Sequence, residues 1–290
     1  MLDDMFLFLA AARAASFSVP TDHATIEEAI AAAEDGDSIT IEQGDWDETL
    51  GIGKDLSFDG EGRITGSWTI EGSTVDIADL SFEPAEGRAL SIDDATVALS
   101  GVSLQGGDAG VSYGGLIFVR DSELILDGCS LSNAVSARGG AIYSYSTDLY
   151  VSDTTFSSNQ SLTDGSTPAR GGAIRSENGT TTLVNSIFST NSCDYGFGGA
   201  VSTYNSDTVI DSCAFTENSV GSLYGGALMV WDADATISDT TFERNSADLL
   251  VEGDHASGAA IGVAGSNPGT LSVLRSTFLD NSSEIGRAHV

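Results

Sequence analysis

Lysine is almost absent from this sequence of 290 residues, which contains one lysine, Lys54, and eleven basic residues in total. With 43 acidic residues, the formal net charge is −32. Binding to a nucleic acid backbone needs Lys and Arg side chains that release counterions, so this balance excludes nucleic acid as a partner. Anionic membrane surfaces are disfavoured for the same reason.

The acidity has two interpretations. It favours a heavily solvated surface, which keeps an extracellular protein soluble. Bound Ca²⁺ is the alternative, but a Ca²⁺ site needs several oxygens that converge on one point. The sequence contains neither a D-x-D-x-D-G loop nor a GGxGxD nonapeptide run. We therefore expect no metal site and no cofactor.

Cysteine and proline are also scarce, with three and four residues. An odd number of cysteines without C-x-x-C spacing gives neither a disulfide framework nor a zinc site. Cys193 and Cys213 could pair across adjacent repeats, but they occupy different repeat positions. We expect these two and Cys129 to be buried thiols. The scarcity of proline beside 34 glycines fits many short strands joined by tight turns.

The two ends of the sequence differ from the rest. Residues 5–16 read MFLFLAAARAAS and resemble the apolar region and cleavage site of a signal peptide, so we expect a signal-peptide-like segment over 1–16. Asp3 and Asp4 stand where basic residues are usual, and a buried N-terminal segment is the alternative. Residues 285–290 read IGRAHV, which a common sequencing adapter encodes in one frame. We expect residues 284–290 to be an artefactual tail on a truncated chain.

A short helix is predicted next. Thr25 and Glu28 have the spacing of a capping box, in which each side chain accepts a hydrogen bond from the other residue's amide. Gly36 is positioned to end the helix. Short alternating segments follow, and the stretch resembles the start of pectin-lyase-like β-helix proteins. A solenoid must cover its open apolar end, so we expect this helix to be an N-terminal cap.

Two motifs recur in the remainder of the chain. A glycine pair followed by Ala and an aliphatic residue appears at Gly139, Gly171, Gly198 and Gly225, with looser copies at Gly114 and Gly258. An F-x-x-N motif appears with its asparagine at positions 159, 191, 218, 245 and 281, and Asn133 is a copy that lacks the Phe.

The spacing of these motifs predicts the fold. Four copies have the same separation between the first Gly and the next Asn, as in Gly139 and Asn159, whereas Gly114 and Asn133 are one position closer together. The segment from each Asn to the next Gly varies in length, from the short one between 133 and 139 to the long one between 245 and 258. Each repeat therefore has a nearly constant part and a variable loop, always in the same place. Neither a leucine-rich repeat nor a propeller has this pattern.

Equivalent residues in successive turns of a coiled parallel sheet lie about 4.8 Å apart, so each column holds one residue type. We expect an aliphatic column eight residues before each Asn, from Ile125 to Val273, and a Phe column three residues before it, both in the core. A structural ladder of hydrogen-bonded amides is expected from Asn133, Asn159, Asn191, Asn218, Asn245 and Asn281. The predicted fold class is all-β, a single right-handed parallel β-helix over residues 17–283, with clear repeats over 114–283 and a short N-terminal capping helix.

The alternation of G-G-A-[ILV] and F-x-x-N resembles the polymorphic outer membrane protein repeat of bacterial surface-exposed β-helix proteins. The resemblance covers residues 114–283. It implies export, a location at the cell surface or outer membrane or in secreted form, and an adhesive, structural or display role. Contact with a membrane would depend on a C-terminal region that this sequence lacks.

Candidate catalytic residues are not evident. A polygalacturonase-like set of N-x-D, D-D, G-H-G and R-x-K motifs is not assembled, because G-H-G and R-x-K do not occur and the repeats contain no lysine. The acid pairs Asp93/Asp94 and Asp232/Asp234 fit solvated turns, and His255 lies in a variable loop. We expect no catalytic residues. The alternative is a polysaccharide-active lyase, hydrolase or epimerase whose catalytic turns are missing or unrecognised.

One column has a possible binding role. The residue before each glycine pair is planar in five successive repeats: Tyr113, Arg138, Arg170, Phe197 and Tyr224. Such a column is either outer packing or a groove for sugar rings or an extended anionic chain, with the arginines making bidentate contacts. We expect the column to lie exposed beside loops 160–170 and 246–257. The expected partners are extracellular glycans, or host or cell-surface molecules.

Overall fold

The computed structural model describes residues 14–163, 165, 167–248 and 256–283. Over these residues the chain coils as a right-handed parallel β-helix, and all pairings between its named strands are parallel. This confirms the predicted fold class. Residues 284–290, which we expect to be an artefactual tail, lie outside the described residues. So do residues 1–13, which make up most of the expected signal-peptide-like segment.

The largest sheet of the described residues, here the long sheet, has 19 strands, and from Thr74 onward each turn, or rung, contributes two of them. Its strands are Ser16–Val19, Asp37–Trp46, Leu56–Ile64, Thr74–Ala78, Ser81–Phe82, Thr96–Ser100, Ser103–Gln105, Glu123–Asp127, Ser130–Ser132, Asp148–Ser152, Thr155–Ser157, Thr180–Val184, Ile187–Ser189, Asp207–Asp211, Ala214–Thr216, Ala235–Ser238, Thr241–Glu243, Leu271–Leu274 and Thr277–Leu279.

Three smaller sheets complete the rungs within the same described ranges. The second sheet contains Leu50–Ile52, Trp68–Glu71, Leu90–Asp93, Ile117–Arg120, Ile142–Tyr145, Ile174–Glu177, Val201–Tyr204, Leu228–Trp231 and Ile261–Ala264. The third sheet contains Val135–Ser136, Gln160–Ser161, Ser192–Cys193, Ser219–Gly221, Ser246–Asp248 and Ser282–Ser283. The fourth sheet, which precedes the glycine pairs, contains Ala169–Arg170, Gly196–Phe197, Leu223–Tyr224 and Ala256–Ser257.

The N-terminal helix, Ile26–Ala32, forms at the predicted capping box. Thr25 Oγ1 accepts a hydrogen bond from the amide of Glu28 at 3.1 Å, although the Glu28 carboxylate accepts from Ala24 rather than from Thr25. The helix ends before Gly36, which adopts a φ of +89° in the turn that follows. Its apolar face is buried against the first rung: Ile26, Ala29, Ile30 and Ala33.

The single lysine has a structural role at the other end of this helix. Lys54 Nζ donates hydrogen bonds of 2.7 Å to the carbonyl oxygens of Ile30 and Ala33. A cation at a helix C-terminus compensates the partial negative charge of the last carbonyl groups. Lys54 therefore holds the helix on the end of the solenoid.

Phenylalanine stacks through the core. Phe156, Phe188, Phe215 and Phe242 are fully buried, and the ring centroids of neighbours are 4.7–4.9 Å apart with nearly parallel planes. Phe278 continues the stack at 5.0 Å but is 47% exposed, because the last described rung has a neighbour on one side among the described residues. Each buried ring removes a large apolar area from water, so this column is a major source of stability.

A ladder of asparagine amides runs beside the Phe column. Asn159, Asn191, Asn218 and Asn245 are fully buried, and each donates from Nδ2 to Oδ1 of the next asparagine at 2.9–3.0 Å, ending at Asn281. Each Nδ2 also donates to a backbone carbonyl of the preceding rung, such as that of Leu131 for Asn159. From Asn191 onward, each Oδ1 accepts a second bond from a backbone amide.

Asn133 does not belong to this ladder. It lies exposed in a turn with a φ of +57°, and Ala134 occupies the buried position and donates its amide to Asn159 Oδ1 at 3.1 Å. The assignment of Ile125 to the core column is wrong by the same one residue, because Leu126 pairs with Val151. In the four rungs that begin at Gly139, Gly171, Gly198 and Gly225 the ladder asparagine stands at the same separation from the first glycine, and Asn133 stands one position closer to Gly114 than that.

The two glycines of each pair have different structural roles. The first glycine of each pair takes a positive φ, +64° at Gly171, as predicted for a tight turn. The second is needed for close approach, because a Cβ on Gly172 would lie 2.0 Å from the carbonyl oxygen of Gly199 in the next rung. Rung spacing at this corner is therefore set by backbone packed directly on backbone.

A second polar ladder includes two of the cysteines. Its members are Cys129, Thr154, Ser186, Cys213, Thr240 and Ser276. In each rung the backbone amide donates to the side-chain oxygen or sulfur of the next, for example Cys213 N to Thr240 Oγ1 at 3.2 Å. All three cysteines are buried free thiols, as expected. Burial raises the pKa of Cys193 to about 12 and that of Cys213 to about 11.

Candidate functional site

The residues before the glycine pairs form one continuous column, here called the stripe. Tyr113 pairs with Arg138, Arg138 with Arg170, Arg170 with Phe197, and Phe197 with Tyr224, each in parallel register. The side chains contact one another along the column. The Arg138 guanidinium lies 5.0 Å from the Tyr113 ring, and the Phe197 and Tyr224 rings stack at 6.0 Å.

The stripe is half-buried rather than exposed, because it packs on outward-facing side chains of the second sheet. These side chains, here the covered column, follow each stripe residue by five positions: Phe118, Tyr143, Arg175, Ser202 and Met229. Strand alternation points them away from the core, yet the last four are almost fully buried. Tyr143, for instance, stacks at 4.8 Å on the ring of Tyr113. The stripe therefore has a packing role whatever else it does.

A third outward column lies at the ends of the second-sheet strands and is more accessible, with Tyr145 37% and Tyr204 38% exposed. In register, its members are Arg120, Tyr145, Glu177, Tyr204 and Trp231. It lies two residues beyond the covered column on each strand, so both columns point to the same face of the sheet. We call this the outer column.

One charged residue from each of the three columns contributes to a cluster: Arg138 of the stripe, Arg175 of the covered column and Glu177 of the outer column. Arg175 donates from Nε to Glu177 at 2.8 Å and from Nη1 to Ser202 Oγ at 2.7 Å. Arg138 Nη1 lies 4.0 Å from the same Glu177 carboxylate. Burial lowers the pKa of Arg175 to about 10, against the opposing effect of Glu177. Burial, followed by the charge of Glu177, raises the pKa of Tyr143.

Sequence reasoning missed Arg175, Glu177 and Tyr143. Two signals could have found them. Arg175 and Glu177 are two residues apart directly after a glycine pair and its Ala-Ile, and residues two apart in a strand share a face. The constant offset of five positions from the stripe also places Tyr143 and Arg175 in equivalent positions.

A groove opens beside this cluster, with a volume of about 460 Å³. That size lies within the range of roughly 300–1,000 Å³ that is usual for ligand sites. The Phe197 and Trp231 rings meet edge to face at 5.4 Å in its wall. Its lining residues are Pro168, Arg170, Arg175, Phe197, Ser202, Tyr204, Trp231, Asp232 and Ser266.

The other acidic candidates have structural partners. Asp93 pairs with Arg120 through two hydrogen bonds. Asp232 and Asp234 accept backbone amides of the following rung, from Asn267 at 2.8 Å and Thr270 at 2.6 Å. His255 lies outside the described residues, as does most of the 246–257 loop.

The described ranges hold neither a metal-binding cluster nor a membrane-spanning helix. No group of three or more His, Cys, Asp or Glu side chains there converges as a metal site. No helix within the same ranges is long and apolar enough to cross a membrane.

Comparison with known proteins gives a family match and several structural neighbours. The model of the right handed beta helix region matches residues 114–286. No curated protein matches the sequence. A pectin methylesterase in complex with a hexasaccharide shares 14% identity over 80% of each chain, with a TM-score of 0.41.

Two lyases are also similar in structure. A PL6 family alginate lyase shares 14% identity, with a TM-score of 0.47, and the match covers 89% of this chain and 40% of the lyase. A mannuronic acid specific polysaccharide family 6 lyase from human gut microbiota shares 12% identity, with a TM-score of 0.37, over 90% of this chain and 83% of the enzyme. These similarities concern the fold.

Proposed function

We propose, on the premise that this chain belongs to the right-handed β-helix family, that it is an exported, non-catalytic protein that binds polysaccharide. Export is supported by the net charge of −32, by the signal-peptide-like start of the sequence and by the resemblance of its repeats to surface-exposed proteins. Adhesion or display at the cell surface is the role that this proposal assigns.

The observation that carries the binding proposal is the row of planar side chains on one face of the second sheet. Tyr145, Tyr204 and Trp231 of the outer column present rings beside the stripe along this face. Aromatic rings stack on sugar faces with a modest gain for each contact. Several rungs acting together would then hold an extended chain through multivalency.

Binding of immobilised polysaccharides, acidic and neutral, tests this proposal. We expect Trp231→Ala and Tyr204→Ala each to weaken binding roughly tenfold, the equivalent of about 1.4 kcal/mol. Tyr150→Ala is the matched control, because Tyr150 is a 43% exposed aromatic residue on the long sheet, away from this face. Equal binding by all four proteins, or no binding of any polysaccharide, would refute the proposal.

One observation favours a second candidate, a polysaccharide-active enzyme. Tyr143, Glu177 and Arg175 form a buried polar cluster on the same face, and such clusters occur at sites where protons are transferred. Incubation with acidic and neutral polysaccharides, followed by measurement of new reducing ends, tests it. Product formation that Glu177→Gln abolishes would establish the enzyme and refute the non-catalytic role.

A further inference from the structure

Seven of the eight described arginines fall into two groups, and Arg88, which donates to Ser112 Oγ and lies over the Phe118 ring, belongs to neither. Four described arginines, Arg63, Arg120, Arg244 and Arg275, pair with carboxylates at the surface. By contrast, Arg138, Arg170 and Arg175 gather around one described carboxylate, Glu177. Burial lowers the pKa of Arg170 and of Arg175, and a neighbouring guanidinium lowers each further. A cluster of three cations with one described anion is unusual in a chain with a net charge of −32.

The inner member of this cluster is incompletely paired. Arg175 is 2% exposed, and its Nη2 has no hydrogen-bond partner among the described residues. The Nε of Arg170 is also buried without one in the same part of the chain. Native proteins seldom leave buried donors unpaired, and a guanidinium offers five donors that fit a carboxylate.

Both arginines line the groove, beside the rings of Phe197, Tyr204 and Trp231. Among the described residues, the groove has one carboxylate in its lining, that of Asp232, which accepts from the backbone amide of Asn267 at 2.8 Å. The Arg175 guanidinium lies 5.7 Å from the Tyr204 ring, and that of Arg170 lies 5.7 Å from the Phe197 ring. The cations are thus held by aromatic faces beside an open space.

We propose that this groove binds the carboxylate group of an acidic sugar in a polysaccharide chain, with Arg170 as the direct ligand and Arg175 beneath it. This inference rests on the proposed binding function and names its substrate class. The bound carboxylate adds a negative charge beside the guanidinium groups of Arg170 and Arg175. The flanking rings hold the sugar, and the planar fork of arginine favours a carboxylate over a neutral hydroxyl group.

Titration calorimetry with three probes tests the inference: a hexasaccharide of galacturonic acid, the same hexasaccharide with its carboxyls reduced to alcohols, and a sulfated neutral hexasaccharide. We expect the wild-type chain to bind the uronate roughly tenfold or more tightly than the reduced form. Arg170→Gln should abolish that preference. Arg244→Gln, the matched control at an exposed arginine paired with Glu217, should keep it.

The outcomes separate the two proposals. Equal affinity for the uronate and the reduced form, or a preference that survives in Arg170→Gln, overturns the carboxylate site and leaves polysaccharide binding intact. A preference for the sulfated probe over the uronate also overturns it. Absence of binding to every probe overturns both. The test does not depend on a variant of the buried Arg175, because Arg170 is half-buried at the surface and Arg170→Gln should fold.

Discussion

Asn191 Nδ2 and Asn218 Oδ1 lie 3.0 Å apart in adjacent rungs, although the two residues are 27 positions apart in the sequence. The same Nδ2 donates to the carbonyl of Phe156, and Asn191 Oδ1 accepts from the amide and side chain of Asn159. One fully buried amide therefore joins three consecutive rungs.

Replacement of Asn191 by alanine should be strongly destabilising. It would leave the Asn159 amide and Asn218 Oδ1 short of a partner in a buried site, at a cost of roughly 1–3 kcal/mol for each unsatisfied group. Urea denaturation followed by circular dichroism measures the loss. Asn133→Gly is the control, because Asn133 is exposed outside the ladder and glycine tolerates its φ of +57°, so the change should alter stability by less than about 0.5 kcal/mol. Equal losses in the two variants would contradict the ladder.

The second glycine of each pair should be irreplaceable. In Gly172→Ala the new Cβ would lie 2.0 Å from the backbone oxygen of Gly199, and no side chain can move aside to relieve the contact. We expect Gly172→Ala to lower the thermal midpoint sharply or to prevent folding. In Gly51→Ala, by contrast, the added Cβ meets nothing within 4 Å, and we expect a nearly unchanged midpoint. A stable Gly172→Ala protein would show that the rungs can separate at this corner.

The Phe column should contribute in proportion to burial. Phe215 lies between two stacked rings, and Phe215→Ala removes a fully buried ring, which typically costs about 3–5 kcal/mol. Phe278→Ala, at the 47% exposed end of the stack, should cost much less. Chemical denaturation of the two variants checks the difference. A larger loss from Phe278→Ala would mean that the final rung contributes more than its burial indicates.

Buried thiols should make stability fall at high pH. Burial raises the pKa of Cys193 from 9.0 to about 12, so the unfolded chain loses this proton at a lower pH than the folded chain does. The contribution is complete below about pH 9 and is lost as the pH rises toward 12. Cys193→Ala should reduce this slope in denaturation measured at pH 8, 9 and 10. Its neighbours in the same buried cluster include Ala169 and Ala247, so alanine fits there. An unchanged slope would exclude Cys193 as the source.

Much of the core could be predicted from the sequence because stacking requires identical residues at a fixed interval. The Phe residues from Phe156 to Phe242 lie where the constant spacing from the glycine pairs places them. Asn133 and Ile125 are misplaced when a motif match is given more weight than that spacing. The number of residues between the glycine pair and the core position is fixed by the path of the backbone. An asparagine can instead occur in a turn because its side chain makes local hydrogen bonds and its backbone tolerates a positive φ.

The site was harder to predict because it depends on contacts between columns. The stripe can be recognised in the sequence, but its half-burial follows from packing on Tyr143 and Arg175. No sequence pattern gives the distances in space between these side chains and the stripe. Outward residues of a strand are ordinarily polar and solvated. The sequence can therefore indicate the position of Arg175 on the strand, but its burial becomes apparent only when the covering side chains are in place.

The glycine corner and the asparagine ladder also bear on how such a chain can change over evolutionary time. The path from Asn159 to Gly171 is longer than the path from Asn191 to Gly198, yet the following rung resumes in register on the same backbone contacts. Insertions at that point leave the interior untouched. Selection can therefore vary the rim of the groove one rung at a time, while the axial repeat that supports it is inherited unchanged.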